Sequence, residues 1–446
     1  MSGLLGPDGR PIRRDAPLLV DAFGRPVRAD AAQALPAKPR LRALEVIPIQ
    51  EGGREGLLLR DPIGIAEKPA VLRLEVLPLL QLLDGTRSVD EICTRIVTES
   101  GDPAHAEAVR RFVEDLDRLY LLESPRFEAR RKELQLQYGK EPVREALLAG
   151  HSYPEDRDEL ERFLAGHYAE AKAIRSADKT PWPPDPGAVA IPHLDLRRSG
   201  VTVALGLLAV PETPPPDLVI LFATGHMLLD RFATATAKHL ATPLGEIRAD
   251  AESFDLLLSH TGDEIRDEEL AVRDEHSVEF AALELAYRFE VPPPVLTVAF
   301  GGFHRLLLEG RSPESDDLYG KTVTGLRAVL EAAMARGRRV LCLAAVDLSH
   351  VGARFGELEP LDERRLAETK RLDEEALAAA AGGDARGWFE SLAKHDDSTS
   401  VCGYSAMHAL LAVARPGRGR ILRYEQSQEP GGSMVSCASL AWPRGD

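Results

Sequence analysis

From residue 43 to 124 the apolar positions alternate between short extended runs and helical stripes. Leu57-Leu58-Leu59 reads as a strand, closed by a turn at Arg60-Asp61-Pro62 because proline cannot extend the hydrogen-bond ladder. Leu79, Leu80, Leu82 and Leu83 supply an apolar helical face that stops at Asp84-Gly85. Ser88, with Glu91 three residues on, is a capping box that satisfies two free amides at a helix start. Pro103 opens another helix, where Val109, Phe112, Val113, Leu116, Leu119 and Tyr120 recur on one face. Strands followed by three short helices predict a small winged-helix-like α+β domain over 43–124.

Ahead of it, residues 1–42 lack sustained periodicity and read as a flexible tail. The tail contains a short repeat, Gly9-Arg10-Pro11-Ile12-Arg13 returning as Gly24-Arg25-Pro26-Val27-Arg28, which is either turn-forming filler or a docking peptide. After the small domain, the charge-dense stretch 125–144 (Arg126, Arg130, Arg131, Lys132, Glu133) reads as a linking helix. A proline-rich turn, 181–187, then introduces four aliphatic runs: Val189-Ala190-Ile191, Leu218 to Phe222, Val295 to Val298, and Val340 to Leu343. Such runs read as strands buried on both faces. With helical segments between them, they predict an α/β domain over 145–446, a mixed sheet flanked by helices.

Composition narrows the function classes. With 446 residues, 44% of them hydrophobic, the chain can build two cores. A net charge of -16 argues against a phosphate-tracking nucleic-acid binder. Asp84, Asp90, Glu91, Glu114, Asp115 and Asp117 argue the same for the small domain. Four scattered cysteines with no C-x-x-C pair suggest neither a disulfide framework nor a zinc knuckle. No apolar leader follows Met1, and no apolar run reaches membrane-spanning length. The expectation is a soluble, cytoplasmic protein that binds neither nucleic acid nor membrane.

Polar residues able to bind a metal stand just past three of these strands. The first strand runs into Pro192-His193, the second into Thr224-Gly225-His226, and the fourth into Asp347-Leu348-Ser349-His350. Open α/β sheets bind ligands beyond the carboxyl ends of their strands. Asp274-Glu275-His276-Ser277 precedes one apolar helix, and Val401-Cys402-Gly403 opens another. Imidazole, carboxylate and thiolate are the ligand set expected for iron, zinc or copper. Cys342, Cys437 and Cys93 read as core residues, and His304, His395 and His408 carry no partner pattern.

Each domain carries a family resemblance. Leu59-Arg60-Asp61-Pro62, the stretch Leu83 to Ile92 and the final amphipathic helix make the small domain similar to the PqqD family, which implies peptide binding by strand addition. The large domain resembles the Memo family, of the kind called component B of the AmmeMemoRadiSam system. The elements are Ala149-Gly150-His151-Ser152-Tyr153-Pro154, Pro192-His193 through Ser199-Gly200, Ala223 to His226, and Thr242-Pro243-Leu244-Gly245. Glu275-His276-Ser277-x-Glu279, Asp347-x-x-His350, Cys402-Gly403 and Tyr424-x-x-Ser427 complete them in family order.

This second resemblance implies a fold like class III extradiol dioxygenases, with non-haem iron, or copper, held by His193, His226 and Cys402. It implies His350 as acid or base with Asp347 as its orienting partner, and Glu275 and His276 as pocket residues that set ligand orientation. It also implies a radical-SAM protein and other members of the same system as partners. The chain departs from the family at Leu194-Asp195-Leu196, which places the Asp195 carboxylate beside the ligand set, and at Ala223-Thr224 and Ala345-Val346. The leading expectation is a metal-dependent redox enzyme. Its rivals are a non-catalytic metal-binding carrier that recruits a peptide or protein, and a hydrolase with Cys402 as nucleophile.

Overall fold

The computed structural model describes residues 19–21, 35–51, 54–61, 63–66, 69–357, 359, 361–429 and 431–444. The chain divides into two units, with the boundary between Tyr138 and Gly139. The first unit carries an antiparallel sheet in the spatial order Leu19–Asp21, Ala70–Arg73, Arg54–Arg60, Glu45–Glu51. Leu57, Leu59, Ala70 and Leu72 pack from this sheet against Ile92, Val109, Phe112, Val113 and Leu116 of helices Val89–Ser100 and Ala104–Arg118. The capping box at Ser88 and Glu91 is present. The helical face at Leu79–Leu83 is only one turn, Leu77–Leu80. Leu82 and Leu83 are buried beyond it, where the chain turns at Gly85 and bonds Pro39 and Leu41.

Part of the stretch read as tail is therefore tied in. Arg42 forms a buried ion pair with Asp61 at 2.9 Å, and Asp61 also accepts the backbone amides of Ile63 and Ala66. The repeat at 9–13 and 24–28 lies outside the described residues. The charge-dense stretch forms a helix, Pro125–Tyr138, which ends before Val143–Arg144 enters a small sheet of the second unit.

In the second unit, β1 (Pro186–Ile191), β2 (Leu218–Thr224), β3 (Ala233–Thr236), β4 (Val295–Phe300), β5 (Val340–Ala345), β6 (His350–Gly352), β7 (Arg420–Glu429) and β8 (Ser433–Pro443) make one sheet. The order is β6-β8-β1-β5-β2-β4-β3, with β7 paired to β8. The four runs expected as buried strands are its parallel centre, β1-β5-β2-β4, and antiparallel β3 and β8 flank them. The sheet is mixed, as expected.

Alternation divides each central strand between two cores. Leu218, Ile220 and Phe222 face one side of β2, and Val219, Leu221 and Ala223 face the other. Helices α1 (Leu196–Leu208) and α2 (His276–Arg288) cover the second side. Asp317–Ala335 and α3 (Tyr404–Ala414) cover the first. Because both faces are buried, the strands read as continuous apolar runs rather than alternating ones.

One buried acid in α2 gives a pH-dependent prediction. Burial pushes the Glu284 carboxyl up to about 8, its only hydrogen-bond donor among the described residues being the Tyr168 hydroxyl at 3.1 Å. The folded state therefore holds a proton that the unfolded chain releases above its ordinary value of 4.5. The stability from that bound proton is complete below 4.5 and lost as pH rises to about 8. Glu284→Gln, which carries no such penalty, is expected to exceed the parent by about 3 kcal/mol at pH 7, and by little at pH 4.5. Urea unfolding at both pH values measures the difference, and equal gaps at the two would contradict the protonated state.

Candidate metal centre

Each site residue stands where a strand ends or a helix begins. His193 follows β1, His226 follows β2, Asp347 follows β5, Glu275 caps α2, and Cys402 precedes α3. The Cys402-Gly403 step is set by packing. A Cβ at Gly403 would lie 2.6 Å from the Asp347 carbonyl, which accepts the Gly403 amide. Glycine thus allows the two loops to touch and brings Cys402 beside Asp347.

The hydrogen bonds orient the imidazoles. His193 Nδ1 is 3.0 Å from the Ala345 carbonyl, which can only accept, so Nδ1 carries the proton and Nε2 keeps its lone pair. His226 Nδ1 lies 3.0 Å from Glu275 Oε1, and the same carboxylate accepts the His226 amide at 2.9 Å. Cys402 Sγ lies 3.4 Å from His193 Nε2. One ligand atom each from His193, His226 and Cys402 falls within 4.8 Å of the others. The same holds for His226, Glu275 and His276, and for Asp347, His350 and Cys402. The rings of His193, His226 and His276 have centroids 4.6–5.1 Å apart.

The electrostatics pair a charged His226 with one ionised carboxylate among neutral groups. Burial, with the neighbouring His226 charge, drops His193 and His276 to about 3. Burial alone would also raise Glu275. The charge and hydrogen bonds of His226 outweigh that and hold it well below the usual carboxylate range. Burial opposes charge on His226 too, but Glu275 and Cys402 overcome it and raise its pKa well above the ordinary value. Burial raises Asp347 and Cys402 and lowers His350.

Two expected contacts take different forms. The Asp347 carboxylate accepts the amides of His193 at 3.1 Å and Leu194 at 3.2 Å, with Oδ2 3.6 Å from His193 Nε2. His350 is oriented instead by the Leu348 carbonyl, 3.0 Å from its Nδ1, because the chain turns there into β6. Asp195 caps α1 through the Arg197 amide and pairs with the Arg197 side chain, apart from the converging groups.

Sequence reasoning missed the frame around these residues. Buried Asp373 accepts Ser349 Oγ at 2.6 Å, Ser436 Oγ at 2.5 Å and the Tyr424 hydroxyl at 2.8 Å, pinning the turn between Asp347 and His350. It stands in a charge-rich helix, Glu363–Ala381, where an acid reads as solvated surface. His408, which had no partner pattern, meets the Tyr319 hydroxyl at 2.6 Å in the core, 89 positions away in sequence.

Residues 144–441 match the model of the family described as Memo-like protein. A MEMO1 family protein of Aquifex aeolicus is 26% identical over 91% of this chain and 100% of its own length. One of Thermus thermophilus is 29% identical over 79% of this chain and 98% of its own length. One of Methanosarcina mazei is 26% identical over 67% of this chain and 97% of its own length. The family match thus takes in all the converging groups, and the chain belongs to the Memo-like protein family.

Proposed function

We propose that the large unit binds one iron or copper ion through His193, His226 and Cys402 and acts as a non-haem metal-dependent redox enzyme. The observation that carries this reading is the orientation of the two imidazoles. Both Nδ1 atoms are engaged by the Ala345 carbonyl and Glu275, which leaves both Nε2 atoms and the thiol sulfur as donors in one place. Two imidazoles and a thiolate suit iron or copper, and such an ion supplies Lewis acidity and electron transfer to a bound substrate. Glu275 balances the ion's charge, and Asp347 fixes the His193 backbone. The His350 ring is directed by Leu348 and can take or give a proton at Nε2. The hydrolase reading is disfavoured because burial raises the Cys402 thiol, whereas a nucleophile needs it lowered.

The resemblance to component B of the AmmeMemoRadiSam system supports a radical-SAM partner, and the likeness to extradiol dioxygenases supports an open coordination position. A recruiting role for the small unit is favoured by one observation. Strand Glu45–Glu51 lies at the sheet edge with Val46 and Ile47 exposed by 49% and 37%, a surface suited to strand addition by a peptide.

His350→Ala separates enzyme from carrier. The variant should retain its metal yet fail to complement a strain lacking the gene, with metal content measured on the same preparation. Full complementation by metal-loaded His350→Ala protein would remove the proton-transfer role and leave the carrier.

A further inference from the structure

Two of the strands that deliver site residues at their carboxyl ends, β1 and β5, border a cavity at their amino ends. Gly187 and Ala188 at the start of β1 and Val340 at the start of β5 line it, and its volume is about 260 Å³. Leu330, Met334 and Val413 add apolar wall. Three guanidinium groups, Arg327, Arg415 and Arg444, open onto it against one lining carboxylate, Glu331. In a chain of net charge -16 this is a local reversal of sign.

The three arginines are not equivalent. Arg327 sends Nε and Nη2 to the Ala412 carbonyl, at 2.8 and 2.6 Å, and so caps the end of α3. Arg444 bonds the Val340 carbonyl at 2.8 Å and stands 3.5 Å from Asp185, which is shared with Arg339. Arg415 makes no side-chain hydrogen bond or ion pair with any described residue. It also occupies the left-handed C-cap of α3 at φ 42°, a place where glycine is usual. Burial and the Arg415 charge together lower the pKa of Arg327, against the opposing pull of Glu331 and Glu314.

We propose that this cavity binds a small amphipathic carboxylate, with its head between Arg415 and Arg327 and its tail against Leu330, Met334, Val340 and Val413. A carboxylate accepts the two-pronged bonds a guanidinium offers. The apolar wall and Glu331 disfavour a compact dianion such as phosphate. The cavity and the histidine cluster lie at opposite ends of the same strands, so its occupant does not meet the cluster.

The test is calorimetric titration of the full chain with hexanoate, hexanamide and inorganic phosphate. Hexanoate should bind, and the other two should bind at least about tenfold more weakly. Arg415→Gln should weaken hexanoate by about tenfold. Glu331→Gln should tighten it, since a competing carboxylate is removed. Arg415 and Glu331 are both exposed, and an unchanged urea midpoint checks that each variant is folded. Hexanamide binding as tightly as hexanoate, phosphate binding more tightly, or Arg415→Gln binding unchanged would each overturn the proposal.

Discussion

Glu279→Ala is expected to destabilise the large unit by about 3–5 kcal/mol, the usual effect of breaking a buried ion pair from one side. Arg144 and Glu279 meet at 2.5 Å with side chains 1% and 0% exposed. Glu279 also accepts the Tyr153 hydroxyl at 2.6 Å and the amides of Leu147 and Leu148. Removing the carboxylate leaves a buried phenol and two part-buried amides without their acceptor, and a buried guanidinium with backbone carbonyls only. The urea midpoint should fall with little change in slope. Replacing both partners, as Arg144→Met with Glu279→Leu, should recover a good part of the loss. A midpoint shift under about 1 kcal/mol for Glu279→Ala would place the pair among surface bridges instead.

The second large effect concerns the ligand set itself. Glu275→Gln is expected to weaken metal binding by about 10–100-fold, the range found when a carboxylate behind a ligating histidine is changed. Glu275 holds the His226 amide and Nδ1, caps α2 through Ser277, and lies 3.3 Å from His276 Nδ1. Glutamine keeps the cap but removes the one strongly ionised carboxylate of the cluster. Competition against a chelator of known affinity measures the change, and an unaltered affinity would show that Glu275 does not set His226. Arg144 acts on the same helix start, since it donates to the carbonyls of Val272 and Glu275.

The parts legible in the sequence share one property, which is that their signal is local. The central strands carry theirs as unbroken aliphatic runs, because both sheet faces are buried. His193, His226 and Asp347 announce themselves by following such runs, and Cys402 by preceding a glycine and an apolar helix. Strand β7 was hidden because it is largely polar and half-buried. The orientation of His350 depends on a backbone turn, and residue spacing cannot distinguish Asp347 from the Leu348 carbonyl as its partner. Arg144 read as part of a linking helix, and its partner Glu279 is 135 positions away. Long-range polar pairs of this kind leave no periodic trace.

The most direct measurement is metal content with X-ray absorption on anaerobically purified full-length protein, alongside Cys402→Ser and His193→Ala. The parent should hold close to one iron or copper per chain, with nitrogen and sulfur in its coordination shell. Cys402→Ser should lose the sulfur and most of the metal, and His193→Ala most of the metal. Full occupancy in both variants, or a parent whose metal has no sulfur neighbour, would contradict a centre built on His193, His226 and Cys402.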